Sequence, residues 1–157
     1  WTLHIYDEGP RRPRLAKMIE SRGLASSVRL EGFTPDLQER LAEAGVFVLS
    51  SRFEGFPMVL IEAMSAGTPV VTYDCPTGPA ELVTDDVDGL LVQPESVPGL
   101  AAAVERVGLG LWRIAGGRRR QSTVANASSD ETKLTDERPA ATRGPALARS
   151  ESRPELT

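Results

Sequence analysis

The chain contains a single cysteine, Cys75, and a single histidine, His4. One cysteine cannot form an internal disulfide, which is typical of a protein from a reducing compartment. A lone histidine inside a strand-like segment favours a structural role over a catalytic one. A nucleophilic role for Cys75 also lacks a histidine partner. The sequence therefore argues against cysteine- or histidine-based catalysis in this chain.

The chain also has no excess of positive charge and no long apolar run. Its net charge is -4 and its pI about 5.1, which argues against binding to the phosphate backbone of a nucleic acid. It has no apolar run of about 18 residues, so we predict no transmembrane segment. Its first residues, WTLHIYDEG, have the pattern of a strand rather than of a signal peptide. We therefore expect a cytoplasmic protein, peripheral to the membrane in a longer parent.

Short apolar runs alternate with helical patterns as far as Val107. This alternation indicates βαβ units, and the continuous apolar run VFVL at Val46–Leu49 is typical of a central strand of a parallel sheet. Strands are predicted at 2–6, 28–30, 46–49, 69–73 and 89–92, and helices at 11–22, 34–44, 57–66, 81–83 and 97–107. The predicted fold is α/β, a Rossmann-like doubly wound parallel sheet.

The pattern changes after Val107. From Gly116 onward the chain is polar and shows no apolar periodicity of either kind. A segment of this composition buries too little surface to offset its ordering entropy. We therefore divide the chain into a domain at 1–107 and a disordered tail at 108–157. The three arginines at 118–120 are interpreted as solvated tail residues rather than as an anion-binding surface.

The most informative stretch is SSRFEGFPMVLIEAMSAGTPVV, in which seven residues separate Glu54 from Glu62. Glu54 lies in the loop that follows the predicted strand VFVL, at the edge where open α/β sheets bind ligands. Pro57 at the first helical position would leave the amides of residues 58–60 pointing across that loop, an arrangement suited to a phosphate. Two carboxylates beside a phosphate site would accept hydrogen bonds from ligand hydroxyls. A nucleotide sugar has both features, although spacing alone fits a helix-dipole role for Glu54 equally well.

The residues themselves add to this pattern, because RFEGFPMVLIEAMSAGTPVV resembles the two-glutamate motif of the retaining GT-B glycosyltransferases of family 4. The resemblance extends to WTLHIYDEGPRRPRLAKMIESRGLASSVRLEGF before the motif and to PVVTYDCPTGPAELVTDDVDGLLV after it. It covers about residues 1–107 and implies the donor-binding half of a GT-B fold. The implied enzyme is a retaining hexosyltransferase (EC 2.4 class) that uses a nucleotide-diphosphate sugar, with UDP the usual nucleotide of the family.

The resemblance also implies roles for individual residues. Glu54 would be the catalytic residue that contacts the donor sugar, and Glu62 would hold the ribose hydroxyls. Gly32 and Phe33 would lie against the base. The remaining donor-binding residues are predicted to be Gly55, Phe56, Pro57, Met58 and Val59 beside Glu54, with Thr77 and Gly78 lining the phosphate pocket.

The sequence departs from the family pattern at both ends. At its start it lacks the opening strand with an Arg and a nearby Lys, and the N-terminal acceptor domain with its glycine-rich loop and histidine. At the other end, the polar tail replaces the long helix that crosses back to the acceptor domain. We therefore interpret it as a partial donor-binding domain, inactive in isolation. The acceptor would be a sugar, a polyol polymer or a lipid-linked glycan. The alternatives are a sugar-nucleotide epimerase of the same fold and an inactive truncated fragment that at most binds nucleotide.

No metal and no cofactor are expected. Asp86 and Asp88 imitate the Asp-x-Asp of metal-dependent sugar transferases, but they precede Gly89, where aspartates are ordinary turn residues. Arg52 is open to two interpretations, a substitute cation for the diphosphate or an exposed structural arginine.

Overall fold

A computed structural model describes residues 1–6, 8–110 and 122–126, and in the last range only Ala125 is described beyond its backbone. The elements follow one another as β1 Thr2–Ile5, α1 Arg12–Ser21, β2 Val28–Leu30, α2 Leu37–Glu43, β3 Val46–Leu49, α3 Met58–Ser65, β4 Val70–Tyr73, α4 Pro79–Leu82, β5 Leu90–Val92, α5 Val97–Gly108 and β6 Ser122–Asn126. Strands and helices alternate as far as α5, so the predicted α/β class is confirmed.

The six described strands form one parallel sheet in the order β2-β1-β6-β3-β4-β5. β1 connects outward to β2, whereas β3, β4 and β5 progress toward the other edge. The sheet is therefore wound in two directions from its centre, as a doubly wound fold requires.

Strand β3 shows why a continuous apolar run belongs at this position. Phe47 and Leu49 pack into a core with α2 and α3, which contribute Leu41 and Leu60. The alternate residues of β3 point to the opposite face, where they pack with α5 around Val107. All four residues of the strand are buried, because helices cover the sheet on both sides.

The last described helix, α5, is fixed at both of its ends. The Ser96 hydroxyl accepts a hydrogen bond of 3.2 Å from the Gly99 amide, a side-chain N-cap that satisfies one of the free donors of the first turn. At the other end the indole of Trp1 lies against Gly108, where a Cβ would come within 3.0 Å of the ring. The start of β1 and the end of α5 are thus held together.

Most boundaries differ from the prediction by only one to three residues. The largest difference in helix position is at α2, which begins at Leu37 because Asp36, rather than Thr34, is its N-cap residue. Thr34 instead accepts a hydrogen bond from the Asp36 amide and shapes the preceding turn. None of the helices in the described ranges is long and apolar enough to cross a membrane.

The prediction of a disordered tail is wrong at Ser122–Asn126, which form β6. This strand pairs with β1 on one side and with β3 on the other. Five residues with the sequence STVAN show no apolar run, so their strand conformation depends on backbone pairing with two neighbours rather than on local pattern. The other predicted tail residues at 111–121 and 127–157 lie outside the described ranges.

Candidate functional site

The candidate site lies at the carboxyl edge of the sheet, where the loops after the parallel strands come together. The loop after β3, residues 50–57, contains Glu54 and leads into α3. The loop after β4, residues 74–78, lies beside it, and the loop after β2, residues 31–36, belongs to the other half of the sheet.

The first turn of α3 differs in part from the prediction. Pro57 is the N-cap residue and the helix begins at Met58. The Met58 amide donates to the Phe56 carbonyl at 2.9 Å, and the Leu60 amide donates to the Pro57 carbonyl at 2.9 Å. The expectation that all three amides of residues 58–60 point free is therefore wrong for two of them. Pro57 has no side-chain acceptor that could cap these amides, so they bond to nearby backbone carbonyls and the turn tightens.

The two glutamates lie on either side of this turn, and both are half-buried. Glu54 precedes α3, whereas Glu62 lies within it, between the buried residues Leu60 and Ala63. Half-burial leaves each carboxylate accessible to a ligand while restricting its range of side-chain conformations. This arrangement is suited to accepting hydrogen bonds from ligand hydroxyls.

The loop after β4 packs directly against the loop after β3. The Thr77 hydroxyl donates to the Glu54 carbonyl at 2.5 Å. A Cβ at Gly78 would lie 2.5 Å from Cδ of Pro57, so only glycine permits this close approach of the two loops. The structure thus brings four of the predicted site residues, Glu54, Pro57, Thr77 and Gly78, into one assembly.

Cys75 belongs to the same assembly. Its side chain is buried, and burial followed by the charge of Glu54 raises the pKa of the thiol above its ordinary value of 9.0. The thiol is therefore neutral at physiological pH. This electrostatic setting is the reverse of that of a nucleophilic cysteine, whose pKa is lowered by nearby positive charge.

Gly32 and Phe33 occupy a different part of the edge. Gly32 is buried with φ +77, and a Cβ there would collide with the Glu8 carboxylate. Phe33 is 82% exposed, so its ring is available to a planar partner. No described contact joins these two residues to the Glu54 loop, and their predicted role at the base stays a prediction.

Two residues near Gly32 were not predicted. Arg12 donates to the Leu30 carbonyl at 2.8 Å and forms an ion pair with Glu8 at 3.5 Å. Both residues follow β1 at the carboxyl edge, on either side of the Gly9-Pro10 turn. That turn, followed by two arginines, was the available sequence signal. The sequence did not indicate that Arg12 would bind the Leu30 carbonyl, because this contact depends on the position of β2 beside the turn.

The carboxyl edge is also unusually apolar on its surface. Phe53 is 65% exposed, Phe56 53% and Met58 56%, all within or next to the Glu54 loop. A cavity of about 370 Å³ opens over the loop after β4. Its lining consists of Asp74, Cys75, Pro76, Thr77, Gly78, Ala80, Glu81 and Pro94. The predicted site residues Thr77 and Gly78 therefore line this cavity.

The other polar residues considered in the sequence analysis form ion pairs or hydrogen bonds within the fold. Arg52 forms an ion pair with Glu95 at 3.6 Å, and His4 lies 2.7 Å from the Glu31 carboxylate. Asp86 bonds to Arg106 at 2.8 Å, and the Asp88 carboxylate accepts from an amide in its own turn. That turn precedes β5 and so lies at the amino edge, away from Glu54. Within residues 1–6, 8–110 and 122–126, no group of three potential metal ligands occurs.

A doubly wound parallel sheet whose loops form a cavity at the carboxyl edge defines a Rossmann-like α/β domain with a candidate ligand site at that edge. The family is then set by comparison. The model for glycosyl transferases group 1 matches residues 1–108, and the chain belongs to this family.

Individual relatives agree with this assignment. The chain is 44% identical to an exopolysaccharide phosphotransferase of Streptomyces coelicolor over 68% of its own length but only 12% of the relative. It superposes on the lipopolysaccharide outer core galactosyltransferase WaaB in its apo form with a TM-score of 0.67 and 28% identity, covering 73% of this chain and 33% of the other. It also superposes on the Staphylococcus aureus TarM G117R mutant, in complex with fondaparinux, alpha-GlcNAc-glycerol and UDP, with a TM-score of 0.66 and 33% identity. That match covers 68% of this chain and 22% of the other. The chain thus spans a third or less of these three proteins.

Proposed function

We propose that this chain is the donor-binding half of a retaining glycosyltransferase that moves a hexose from a nucleotide-diphosphate sugar to an acceptor hydroxyl. The observation that carries the proposal is the pair of half-buried carboxylates, Glu54 and Glu62, on either side of the α3 start. The membership of residues 1–108 in the glycosyl transferases group 1 family supports it. UDP is the proposed nucleotide, in keeping with the UDP in the TarM complex.

The proposed roles follow the order of groups along the ligand. The Glu62 carboxylate accepts hydrogen bonds from the ribose hydroxyls, and Glu54 contacts the transferred sugar. The diphosphate lies at the α3 start, near Gly55, Phe56, Pro57, Met58 and Val59, where the positive end of the helix dipole favours negative charge. Gly32 and Phe33 lie against the base. Catalysis rests chiefly on electrostatic stabilisation of the departing diphosphate, without a metal or another cofactor.

We also propose that the complete enzyme has an acceptor-binding half. An N-terminal domain of a longer protein supplies this acceptor site, and the acceptor is a sugar, a polyol polymer or a lipid-linked glycan. The donor-binding half alone is then expected to bind nucleotide sugar without transferring the hexose. The longer protein would lie in the cytoplasm. If its acceptor is lipid-linked, it would lie at the membrane surface.

The assignment of the two glutamates can be tested by calorimetry with UDP and UDP-glucose on the 157-residue chain. Glu62→Ala is expected to weaken binding of both ligands by about 1–3 kcal/mol, because both contain the ribose. Glu54→Gln is expected to weaken UDP-glucose but not UDP, because only the former contains the sugar. Glu20→Gln, an exposed substitution on α1, serves as the control and should leave both affinities unchanged.

The outcomes separate the proposed function from its details. Equal losses for UDP and UDP-glucose in Glu54→Gln would contradict the sugar role of Glu54. Unchanged UDP affinity in Glu62→Ala would contradict the ribose role. Absence of binding to the wild-type chain at millimolar UDP-glucose would contradict donor binding by this chain altogether. Epimerisation of UDP-glucose by the longer protein would favour the sugar-nucleotide epimerase instead.

A further inference from the structure

Thr77 combines two features that are rarely found together. Its backbone adopts φ +63, a left-handed conformation that β-branched residues avoid. Its hydroxyl lies 2.5 Å from the Glu54 carbonyl oxygen and 2.6 Å from that of Pro76. The side chain is exposed, so its burial does not account for a threonine here. Observed strain at an exposed residue points to a functional constraint.

The hydrogen bond from the Thr77 hydroxyl to the Glu54 carbonyl indicates what the functional constraint is. A peptide unit is planar and trans, so the Glu54 carbonyl and the Gly55 amide point in opposite directions from one rigid plane. When Thr77 holds the carbonyl on its own side, the Gly55 amide is directed away from the loop after β4. One hydrogen bond therefore orients the peptide between the predicted catalytic glutamate and the first predicted phosphate-binding amide.

Two further contacts reinforce the same peptide. Gly78, with φ +95, packs against Pro57, and a Cβ at this position would lie 3.6 Å from the Gly55 carbonyl. The buried Cys75 thiol lies close enough to Glu54 to experience its charge. Residues 75–78 thus contact the 54–57 segment at several points, and the Thr77 hydroxyl is the group that binds the Glu54 carbonyl.

We propose that Thr77 is a positioning residue for donor binding, which orients the Glu54–Gly55 peptide rather than contacting the ligand itself. This inference rests on the proposed function, since the oriented groups are those assigned to the sugar and the phosphate. It replaces the expected role of Thr77 as a lining residue of the phosphate pocket, because its single proton is already shared between two carbonyls.

The test compares three threonine variants of the 157-residue chain. Thr77→Val removes the hydroxyl and keeps the branched shape, Thr77→Ser keeps the hydroxyl, and Thr84→Val is a control at an exposed threonine near the opposite edge. Two properties are measured for each variant. They are the 1H–15N chemical shifts of the Gly55 and Phe56 amides without ligand, and the affinity for UDP-glucose by calorimetry.

Thr77→Val is expected to change the chemical shifts of both amides and to weaken UDP-glucose binding about three- to tenfold, the range of one lost hydrogen bond. Thr77→Ser should restore both properties, and Thr84→Val should change neither. Equal affinities for wild type and Thr77→Val would overturn the positioning role even if the melting temperature falls. Lost affinity in Thr77→Val with unchanged amide shifts would overturn it as well, because the hydroxyl would then contact the ligand directly.

The proposed function fails in a different way. If the wild-type chain binds no UDP-glucose, donor binding by the chain is wrong and the positioning role is wrong with it. If the wild type binds and Thr77→Val binds equally, only the positioning role is wrong. Gly78→Ala provides a second variant, in which the added Cβ must push Pro57 away. It should weaken UDP-glucose binding by at least as much as Thr77→Val.

Discussion

Asn126, the last residue of β6, is in register with Leu49, the last residue of β3. The final described strand of the chain therefore ends at the same edge as the strand that leads to Glu54. β6 also pairs with β1 through residues 122–125, so it joins the two halves of the sheet. A segment with no recognisable strand pattern thus occupies the centre of the fold, next to the candidate site.

The position of β6 predicts that truncation will destabilise the domain. A chain that ends at residue 115 loses β6 and leaves the facing backbone groups of β1 and β3 without partners. We expect its melting temperature to fall by about 10 °C or more relative to a chain that ends at residue 130, because several backbone hydrogen bonds are lost together. Circular dichroism on both truncated chains provides the measurement. Equal melting temperatures would contradict the central placement of β6.

A single substitution tests the same placement without truncation. Val124 pairs with His4 on one side and with Phe47 on the other. Val124→Pro removes its amide from the ladder and is expected to cost about 3 kcal/mol or more. Val124→Ala, which keeps the backbone amide, is the control and should cost less. Urea unfolding of Val124→Pro that matches the wild type would show that this strand does not pair in solution.

Comparison of Thr68 with Thr72 tests how much a buried side-chain hydrogen bond contributes to stability. Both are almost fully buried, but the Thr68 hydroxyl donates to the Leu41 carbonyl at 2.6 Å across 27 residues, whereas Thr72 donates only to the adjacent Tyr73 carbonyl. Thr68→Val is expected to destabilise the chain by about 1–2 kcal/mol, since a buried carbonyl loses a partner. Thr72→Val should lie within about 0.5 kcal/mol of the wild type. Similar urea midpoints for the two variants would contradict this ranking.

The raised pKa of Cys75 predicts a loss of stability at alkaline pH. A thiol that is harder to deprotonate in the folded than in the unfolded chain stabilises the fold fully below its ordinary pKa. That contribution disappears as the pH rises through the raised pKa. The unfolding free energy of the wild type should therefore fall more steeply between about pH 8 and pH 11 than that of Cys75→Ala. Both chains contain the same tyrosines, so parallel curves would show that the thiol has an ordinary pKa.

Donor binding is expected to be independent of divalent metal. Asp86 is paired with Arg106, and Asp88 accepts a backbone amide at the amino edge, so neither faces Glu54. The calorimetric affinity for UDP-glucose should be the same in excess EDTA and in Mn²⁺, and Asp86→Asn should not change it. A loss of affinity in EDTA that Mn²⁺ reverses would show that a metal takes part.

Local sequence patterns predicted much of the fold and the location of the site. The run VFVL indicated a central strand because residues buried on both faces must be apolar at every position. Glu54 and Glu62 were recognised because a short loop and one helix contain both, so their proximity needs no long-range information. The same holds for the helix predicted at 97–107, which the structure has at Val97–Gly108.

Only the tertiary structure decided the features that depend on distant segments. STVAN becomes a strand because β1 and β3 offer backbone partners on both sides, and strand pairing of this kind leaves no periodic signal in five residues. Thr77 binds the Glu54 carbonyl across 23 residues, and Arg12 reaches the Leu30 carbonyl across 18. As far as α5, the sequence alone indicated which segments are strands, helices and candidate ligand loops, because periodicity and turn residues act over a few positions. Which loops touch, and which strand lies at the centre, was decided by packing between segments that the sequence keeps far apart.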